Sequence, residues 1–188
     1  MRIVFGLFLA FVVAFSVVAV SPAAVRAEER TCSGAIGRST VDNLRVPQNA
    51  TCTLNGTKVK GTIKVERNAT LKATSINVVG NIQAEGAKAV NVSGSSRIGG
   101  SIQVVQGGSA SVVSAVVNGD ILYDDNTRKL VARSNTVGGS VQAFQNSGGL
   151  EISRNRIDGN LQCKENTPRP TGSGNIVQGN KEDQCSRL

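Results

Sequence analysis

A glycine recurs every 19 or 20 residues over most of the chain, and this spacing constrains the fold more than any other feature. The recurring glycines are Gly61, Gly80, Gly100, Gly119, Gly139, Gly159 and Gly179. An aliphatic residue stands two positions before each of them, and another stands two positions after all but the last. This alternation is typical of a strand with one buried face. A second short apolar segment follows about ten residues after each glycine, as at Leu71 and Ala73.

A constant period near 20 residues, with two or three short strands in each unit, predicts a solenoid. Helical repeats are excluded because no unit contains a long stretch of helical periodicity without glycine or β-branched runs. A β-sandwich also contains alternating strands, but it gives no reason for a constant spacing. We therefore predict an all-β, single-stranded parallel β-helix of about seven coils, in which equivalent residues stack about 4.8 Å apart.

Asparagine recurs at a turn seven positions after the repeat glycine. The residues at this position are Asn68, Ala87, Gly107, Asn126, Asn146 and Asn166, and Asn49 precedes Asn68 by 19 residues. Asparagine and glycine tolerate the left-handed backbone conformation, so we predict one such turn in each coil. Stacked asparagines can also form a hydrogen-bonded ladder.

The first 27 residues have the organisation of a secretory signal peptide. Arg2 precedes an apolar run over residues 3–20, and Val25-Arg26-Ala27 offers small side chains for cleavage. An uncleaved membrane anchor is the alternative, because the run approaches spanning length. We predict a signal peptide at 1–27 and a β-helix domain at 28–188, secreted or held in the cell envelope, with no membrane segment after cleavage.

Four cysteines in an exported chain indicate disulfides. Cys32 and Cys52 are 20 residues apart, which is one coil, and Cys163 and Cys185 are 22 residues apart. Stacking therefore predicts the bonds Cys32–Cys52 and Cys163–Cys185, one at each end of the solenoid. No Cys-x-x-Cys is present, which disfavours a redox site or a zinc knuckle.

Three stretches resemble secreted bacterial proteins that fold as a right-handed parallel β-helix and have no assigned activity. They are the repeated Val-x-Gly-x-Ile pattern, GNLQCKEN at 159–166 and GNKEDQC at 179–185. The resemblance spans about residues 32–185. It implies a right-handed solenoid with coils of about 20 residues, and it implies no particular reaction.

The composition excludes several kinds of site. The chain has no histidine, which excludes Ser-His and Cys-His nucleophiles and His-ligated metals. It has no tryptophan, one tyrosine and five phenylalanines, which disfavours nucleobase-stacking platforms and aromatic sugar clefts, and no nucleic-acid partner is expected. We predict no catalytic, cofactor-binding or metal-binding residues.

One acidic cluster resembles the sites of pectate-lyase-like enzymes, in which acids hold calcium and a base removes a proton. Asp120, Asp124 and Asp125 lie close together in the sequence, followed by Arg128 and Lys129. No carboxylate occupies the position of Asp120 in the neighbouring coils, and Asp124 and Asp125 precede a turn, where aspartate is common. A solvated turn is therefore the preferred interpretation.

Two outward-facing columns are candidates for binding. The chain has a formal net charge of +8, and Lys58, Lys60, Lys64, Arg67 and Lys72 are expected to form one face that attracts polyanions. A solubilising face is the alternative. The second column contains Lys64, Gln83, Gln103, Leu122, Gln142 and Gln162, which fits a structural ladder or a flat polar surface for a glycan.

Taken together, these features predict an exported, non-enzymatic β-helix protein with a structural or surface-interaction role at the cell envelope or outside the cell. An acidic-polysaccharide-binding module is the first alternative, and a polysaccharide lyase or hydrolase is the second. The expected partner is an acidic polysaccharide or another cell-envelope polymer, and no cofactor is expected.

Overall fold

Each coil of the chain contributes strands to three parallel sheets, so the predicted parallel β-helix of about seven coils is confirmed. The computed structural model describes residues 28–188, and the predicted signal peptide at 1–27 lies outside the described residues. All pairings between named strands are parallel. The predicted right-handedness remains a prediction.

The strands are short because each coil turns three corners. In chain order they are β1 (Glu29–Thr31), β2 (Ala35–Ile36), β3 (Thr40–Val41), β4 (Asn43–Val46), β5 (Thr51–Asn55), β6 (Lys58–Val59), β7 (Ile63–Val65), β8 (Thr70–Thr74), β9 (Asn77–Val78), β10 (Ile82–Glu85), β11 (Ala89–Ser93), β12 (Arg97–Ile98), β13 (Ile102–Val105), β14 (Ser109–Val113), β15 (Val116–Val117), β16 (Ile121–Asp124), β17 (Leu130–Arg133), β18 (Thr136–Val137), β19 (Val141–Phe144), β20 (Leu150–Ser153), β21 (Arg156–Ile157), β22 (Leu161–Lys164), β23 (Ile176–Val177) and β24 (Lys181–Asp183).

Every third strand belongs to the same sheet over most of the chain. Sheet A contains β1, β4, β7, β10, β13, β16, β19, β22 and β24. Sheet B contains β2, β5, β8, β11, β14, β17 and β20. Sheet C contains β3, β6, β9, β12, β15, β18, β21 and β23. The three sheets enclose one apolar core that runs along the solenoid.

The core consists of like residues stacked in register, as the alternation predicts. Ile82 pairs with Ile102, which pairs with Ile121, and this column continues to Val141 and Leu161. All five side chains are fully buried. No single coil can bury its own apolar face, so each coil depends on its neighbours for stability.

A ladder of side-chain oxygens joins the coils at the corner between sheets C and A. We call it the corner ladder, and its acceptors stand directly after the repeat glycines from Thr62 onward. Each oxygen accepts a hydrogen bond from the backbone N–H of the equivalent residue in the next coil. The acceptors are Asn43, Thr62, Asn81, Ser101, Asp120, Ser140 and Asn160, at distances of 2.7–3.3 Å.

The corner ladder explains why the repeat residue is glycine. None of the seven repeat glycines has a positive φ, so conformational freedom is not the reason. A Cβ atom at Gly139 would overlap Asp120 Oδ1 of the preceding coil and would lie 2.9 Å from the carbonyl of Gly119. Gly100 and Gly179 stand in the same relation to Asn81 and Asn160. The glycine is therefore required by the close approach of two coils.

The predicted asparagine turn exists, but its geometry changes along the solenoid. Asn49 and Asn68 have φ angles of 64° and 55°, as predicted. In later coils the left-handed residue stands one position earlier, for example at Asp125, so the prediction is wrong for the asparagines there. Asn126 and Asn146 are instead buried inside the corner, where an amide must have all its hydrogen-bonding groups paired.

The buried asparagines form the predicted ladder between coils. Asn126 Nδ2 donates to Asn146 Oδ1 at 3.0 Å and to the carbonyl of Val104 at 2.8 Å, and Asn146 repeats the pattern with Asn166. A second ladder, which the sequence analysis did not identify, lies at the corner between sheets B and C. Its members are Asn135, Asn155 and Asn175.

Both ends of the solenoid are crosslinked, as the coil spacing predicts. Cys32 is bonded to Cys52 with a Cα–Cα distance of 5.5 Å, and Cys163 is bonded to Cys185 with a Cα–Cα distance of 5.2 Å. Each bond closes a loop of about one coil, worth about 3 kcal/mol on the chain-entropy estimate. Leu188 packs against the core beyond the last strand. Residues 28–188 contain no helix of the length and apolarity needed to cross a bilayer.

The glycine requirement is testable with a matched pair of substitutions. Gly139→Ala should lower the free energy of unfolding by about 1–3 kcal/mol, because the added methyl group forces two coils apart. Gly37→Ala is the control, since no heavy atom lies within 4 Å of its Cβ position. Urea unfolding of both variants measures the difference. Equal stability of the two variants would show that the coils do not approach as described.

Candidate functional site

The five predicted basic residues do not form one face. Lys58 belongs to β6 in sheet C, Lys64 to β7 in sheet A and Lys72 to β8 in sheet B. Lys60 follows β6, and Arg67 lies at the corner between sheets A and B.

The predicted basic residues are divided among the three sheets because the chain bends at Gly61. Strand alternation was expected to point Lys58, Lys60 and Lys64 to one side, but β6 ends at Val59 and β7 begins at Ile63. Parity holds only within a strand, and these residues lie on either side of the corner.

Several charges in the first coils are already paired. Lys60 lies 2.9 Å from Asp42, and this contact lowers the pKa of the Asp42 carboxyl. Arg45 lies 3.1 Å from both Glu29 and Glu66. The hydrogen bond from Arg45, with a second from the backbone N–H of Gln48, lowers the pKa of Glu66.

Stacking of the coils aligns several cations along the corner between sheets A and B, and Lys72 lies beside them on β8 of sheet B. We call this set the basic corner, and it consists of Arg67, Lys72, Lys88, Arg128 and Lys129. All five side chains are exposed. Within residues 28–188, none of them lies within 4.0 Å of a carboxylate oxygen. The basic corner is therefore a concentration of unpaired positive charge.

Backbone hydrogen bonds fix the basic corner along the solenoid. The Arg128 N–H donates to the carbonyl of Gly108, and the Gly108 N–H donates to the carbonyl of Ala87, one residue before Lys88. Lys88 and Arg128 are therefore two coils apart, with Gly108 between them. Asp125 is an acidic residue of the same turn as Arg128, and it is exposed.

Glycines allow the basic side chains to lie flat on the backbone. The Cδ atom of Arg128 is 3.5 Å from the Cβ position of Gly108, so the arginine leans over Gly108 toward the coil of Lys88. The Cγ atom of Arg67 is 3.4 Å from the Cβ position of Gly86 in the next coil. A Cβ atom at Gly108 would overlap the carbonyl oxygen of Lys88, so the close approach of two coils requires glycine there, while both arginine stems are in ordinary van der Waals contact. The corner is thus a shallow, small-residue surface bordered by cations.

A groove of about 850 Å³ adjoins the basic corner on the outer face of sheet A. Its charged lining residues are Lys64, Glu66, Arg67 and Glu85, and its amide lining residues are Gln83, Gln103 and Gln106. Arg67 belongs to both the groove and the basic corner, so the two surfaces are continuous.

The glutamine column on sheet A forms a ladder only in its last coils. Gln142 Nε2 donates to Gln162 Oε1 at 2.9 Å, and Gln162 Nε2 donates to Glu182 at 2.7 Å. The side chains of Gln83 and Gln103 make no hydrogen bond to any residue of 28–188. The column therefore divides into a structural part and an unpaired part.

The candidate lyase carboxylates are not assembled into a site. Asp120 Oδ1 accepts a hydrogen bond of 2.7 Å from the Ser140 N–H, so it serves the corner ladder. Asp124 lies on β16, and Asp125 occupies the turn with a φ angle of 51°. The described part of the chain contains no group of three or more residues suited to hold a metal ion.

No family model, curated protein or solved structure matches this chain.

Sequence reasoning missed the basic corner because it considered charge only within a short window. Lys88 and Arg128 lie outside residues 58–72, which contain the five cations of the predicted face. Their separation of 40 residues, which is two coils, is the signal that could have identified them. In a solenoid, charge is best summed along columns of the repeat.

The structural assignment of Asp120 predicts the effect of two substitutions. Asp120→Asn should leave stability nearly unchanged, because its carbonyl oxygen can accept the same bond, as Asn81 and Asn160 do. Asp120→Ala should cost about 1–3 kcal/mol, because the Ser140 N–H loses its partner. Thermal and urea unfolding measure both effects. Two equally destabilised variants would contradict the assignment and show that the negative charge itself matters.

Proposed function

We propose that this protein is exported, has no catalytic activity and acts by surface interaction at the cell envelope or outside the cell. Two disulfides suit an oxidising compartment. The signal-like sequence of residues 1–27 supports the same location. The rigid stack of coils presents regular outer faces that are suited to contact with an extended polymer.

The most specific form of this proposal is that the ligand is an acidic polysaccharide. The observation that carries it is the basic corner, where Arg67, Lys72, Lys88, Arg128 and Lys129 have no carboxylate partner within residues 28–188. These cations span three coil steps, or about 14 Å. Unpaired charges in this arrangement attract a polymer that carries repeated negative groups.

The positions and hydrogen bonds of the acidic residues support binding of a polysaccharide rather than its cleavage. A lyase needs carboxylates that converge on a cation and a base placed to remove a proton. Asp120 is engaged with the backbone of Ser140, and Asp125 lies in an exposed turn. In this proposal Lys129 and Arg128 attract the acidic polymer electrostatically, and neither residue removes a proton from it.

Two triple variants with the same change in charge test the proposal. The corner variant is Lys88→Glu, Arg128→Glu and Lys129→Glu. The control is Lys58→Glu, Arg97→Glu and Arg156→Glu, which alters exposed residues on sheet C. Retention on immobilised polygalacturonate at low salt should be lost by the corner variant and kept by the control. Wild-type retention should fall as salt rises, because exposed charges are screened beyond about 8 Å near physiological ionic strength.

Each other outcome rejects part of the proposal. Equal loss in both triple variants would mean that net charge alone governs retention and that no specific corner exists. Release of unsaturated sugar absorbing in the ultraviolet would support the lyase alternative. If the wild-type protein does not bind the polymer at low salt, the binding proposal is rejected and a purely structural role is the better explanation.

A further inference from the structure

We infer that the groove on sheet A gives the site a preference for saccharides over other polyanions. In this inference, which rests on the proposed function, the basic corner binds the acidic groups of the polysaccharide. The amides of Gln83, Gln103 and Gln106 bind its hydroxyl groups. The groove is thus a hydrogen-bonding subsite beside an electrostatic one.

The hydrogen bonding of the glutamines carries the inference. On the later coils of sheet A and its adjoining corner, Gln142, Gln145 and Gln162 each donate to a residue of the next coil. Gln83, Gln103 and Gln106 make no side-chain hydrogen bond within residues 28–188. Gln83 stays unbonded although it stacks on Gln103, and Gln103 stacks on Leu122 of the next coil, which has no polar side-chain group. An amide offers both a donor and an acceptor, which matches a sugar hydroxyl.

The spacing of the amides suits an extended chain. Gln83 on β10 pairs in register with Gln103 on β13, so their side chains are separated by one coil step of about 4.8 Å. Gln106 lies at the corner end of the same groove. Three amides therefore border a surface that successive sugar units can occupy.

The charged residues that line the groove are balanced, two positive and two negative, so the attraction for acidic groups comes from the basic corner beside it. Lys64 and Arg67 provide positive charge at one end of the groove. The Glu66 carboxylate lies 3.1 Å from Arg45, which also pairs with Glu29, so the two carboxylates share one positive charge. Glu85 is exposed and provides an acceptor for a hydroxyl group. No aromatic ring lines the groove, so recognition depends on hydrogen bonds and charge.

The groove has the volume of a binding site for a short saccharide segment. Its volume of about 850 Å³ lies within the range typical of ligand sites. Because Arg67 borders both surfaces, a bound chain can place its acidic groups at the basic corner and its hydroxyls in the groove. A polyanion without hydroxyl groups can use only the basic corner.

Two triple variants of residues 28–188 and two polymers test the inference. The groove variant is Gln83→Ala, Gln103→Ala and Gln106→Ala. The matched control is Gln142→Ala, Gln145→Ala and Gln162→Ala. Each set contains one residue with a left-handed backbone, Gln106 at 52° and Gln145 at 53°. The probes are polygalacturonate, which carries carboxylates and hydroxyls, and polyphosphate, which carries charge alone.

The expected results are opposite for the two variants. The groove variant should bind polygalacturonate about tenfold more weakly, because three modest hydrogen bonds are lost, and should bind polyphosphate as wild type does. Its melting temperature should not change. The control variant should melt at a lower temperature, because bonds between coils are removed, and should keep its affinity for both polymers.

Three results would overturn the inference, and they identify what failed. Unchanged binding of polygalacturonate by the groove variant would show that the amides do not contact the sugar, while the basic corner could still be correct. Equal weakening for both polymers would show that the groove does not distinguish saccharides. Absence of wild-type binding to both polymers at low salt would remove the proposed function and the inference with it.

Discussion

The close contact between successive coils at the corner between sheets C and A determines the rest of the structure. A side-chain oxygen of one coil accepts the backbone N–H of the next, as Asp120 does from Ser140. This bond requires a glycine directly before the donor residue, because a Cβ atom at Gly139 would occupy the space of the Asp120 oxygen. This repeated hydrogen bond therefore accounts for the repeat glycine and helps to hold successive coils in register.

The same stacking decides which polar residues remain available for binding. In the later coils, Asn126, Asn146 and Asn166 are buried in a ladder, and Gln142 bonds to Gln162. By contrast, the side chains of Gln83 and Gln103 on sheet A make no hydrogen bond within residues 28–188, and the cations of the basic corner have no carboxylate partner there. The structural part of the molecule and the surface proposed to bind a ligand thus use glutamine at equivalent positions of different coils.

Much of the fold could be predicted because the repeat specifies it. The period of the glycines predicts the coil, and the alternation of apolar residues predicts the buried columns. The spacing of the cysteines predicts the two disulfide bonds. The site was harder, since side-chain parity does not continue across a corner, which is why Lys58 and Lys64 are on different sheets. Lys88 and Arg128 share a column only because the coils stack, so charge counted over neighbouring residues of the sequence does not identify them.

Hydrogen exchange at the corner ladder tests the account most directly. The amides of Thr62, Asn81, Ser101, Asp120, Ser140 and Asn160 lie next to glycines at bends, where exposed amides exchange rapidly. The account predicts that they exchange as slowly as the strand amides of sheet A, because each is bound by a side chain of the preceding coil. Rapid exchange at these amides, with protected strands on either side, would contradict it.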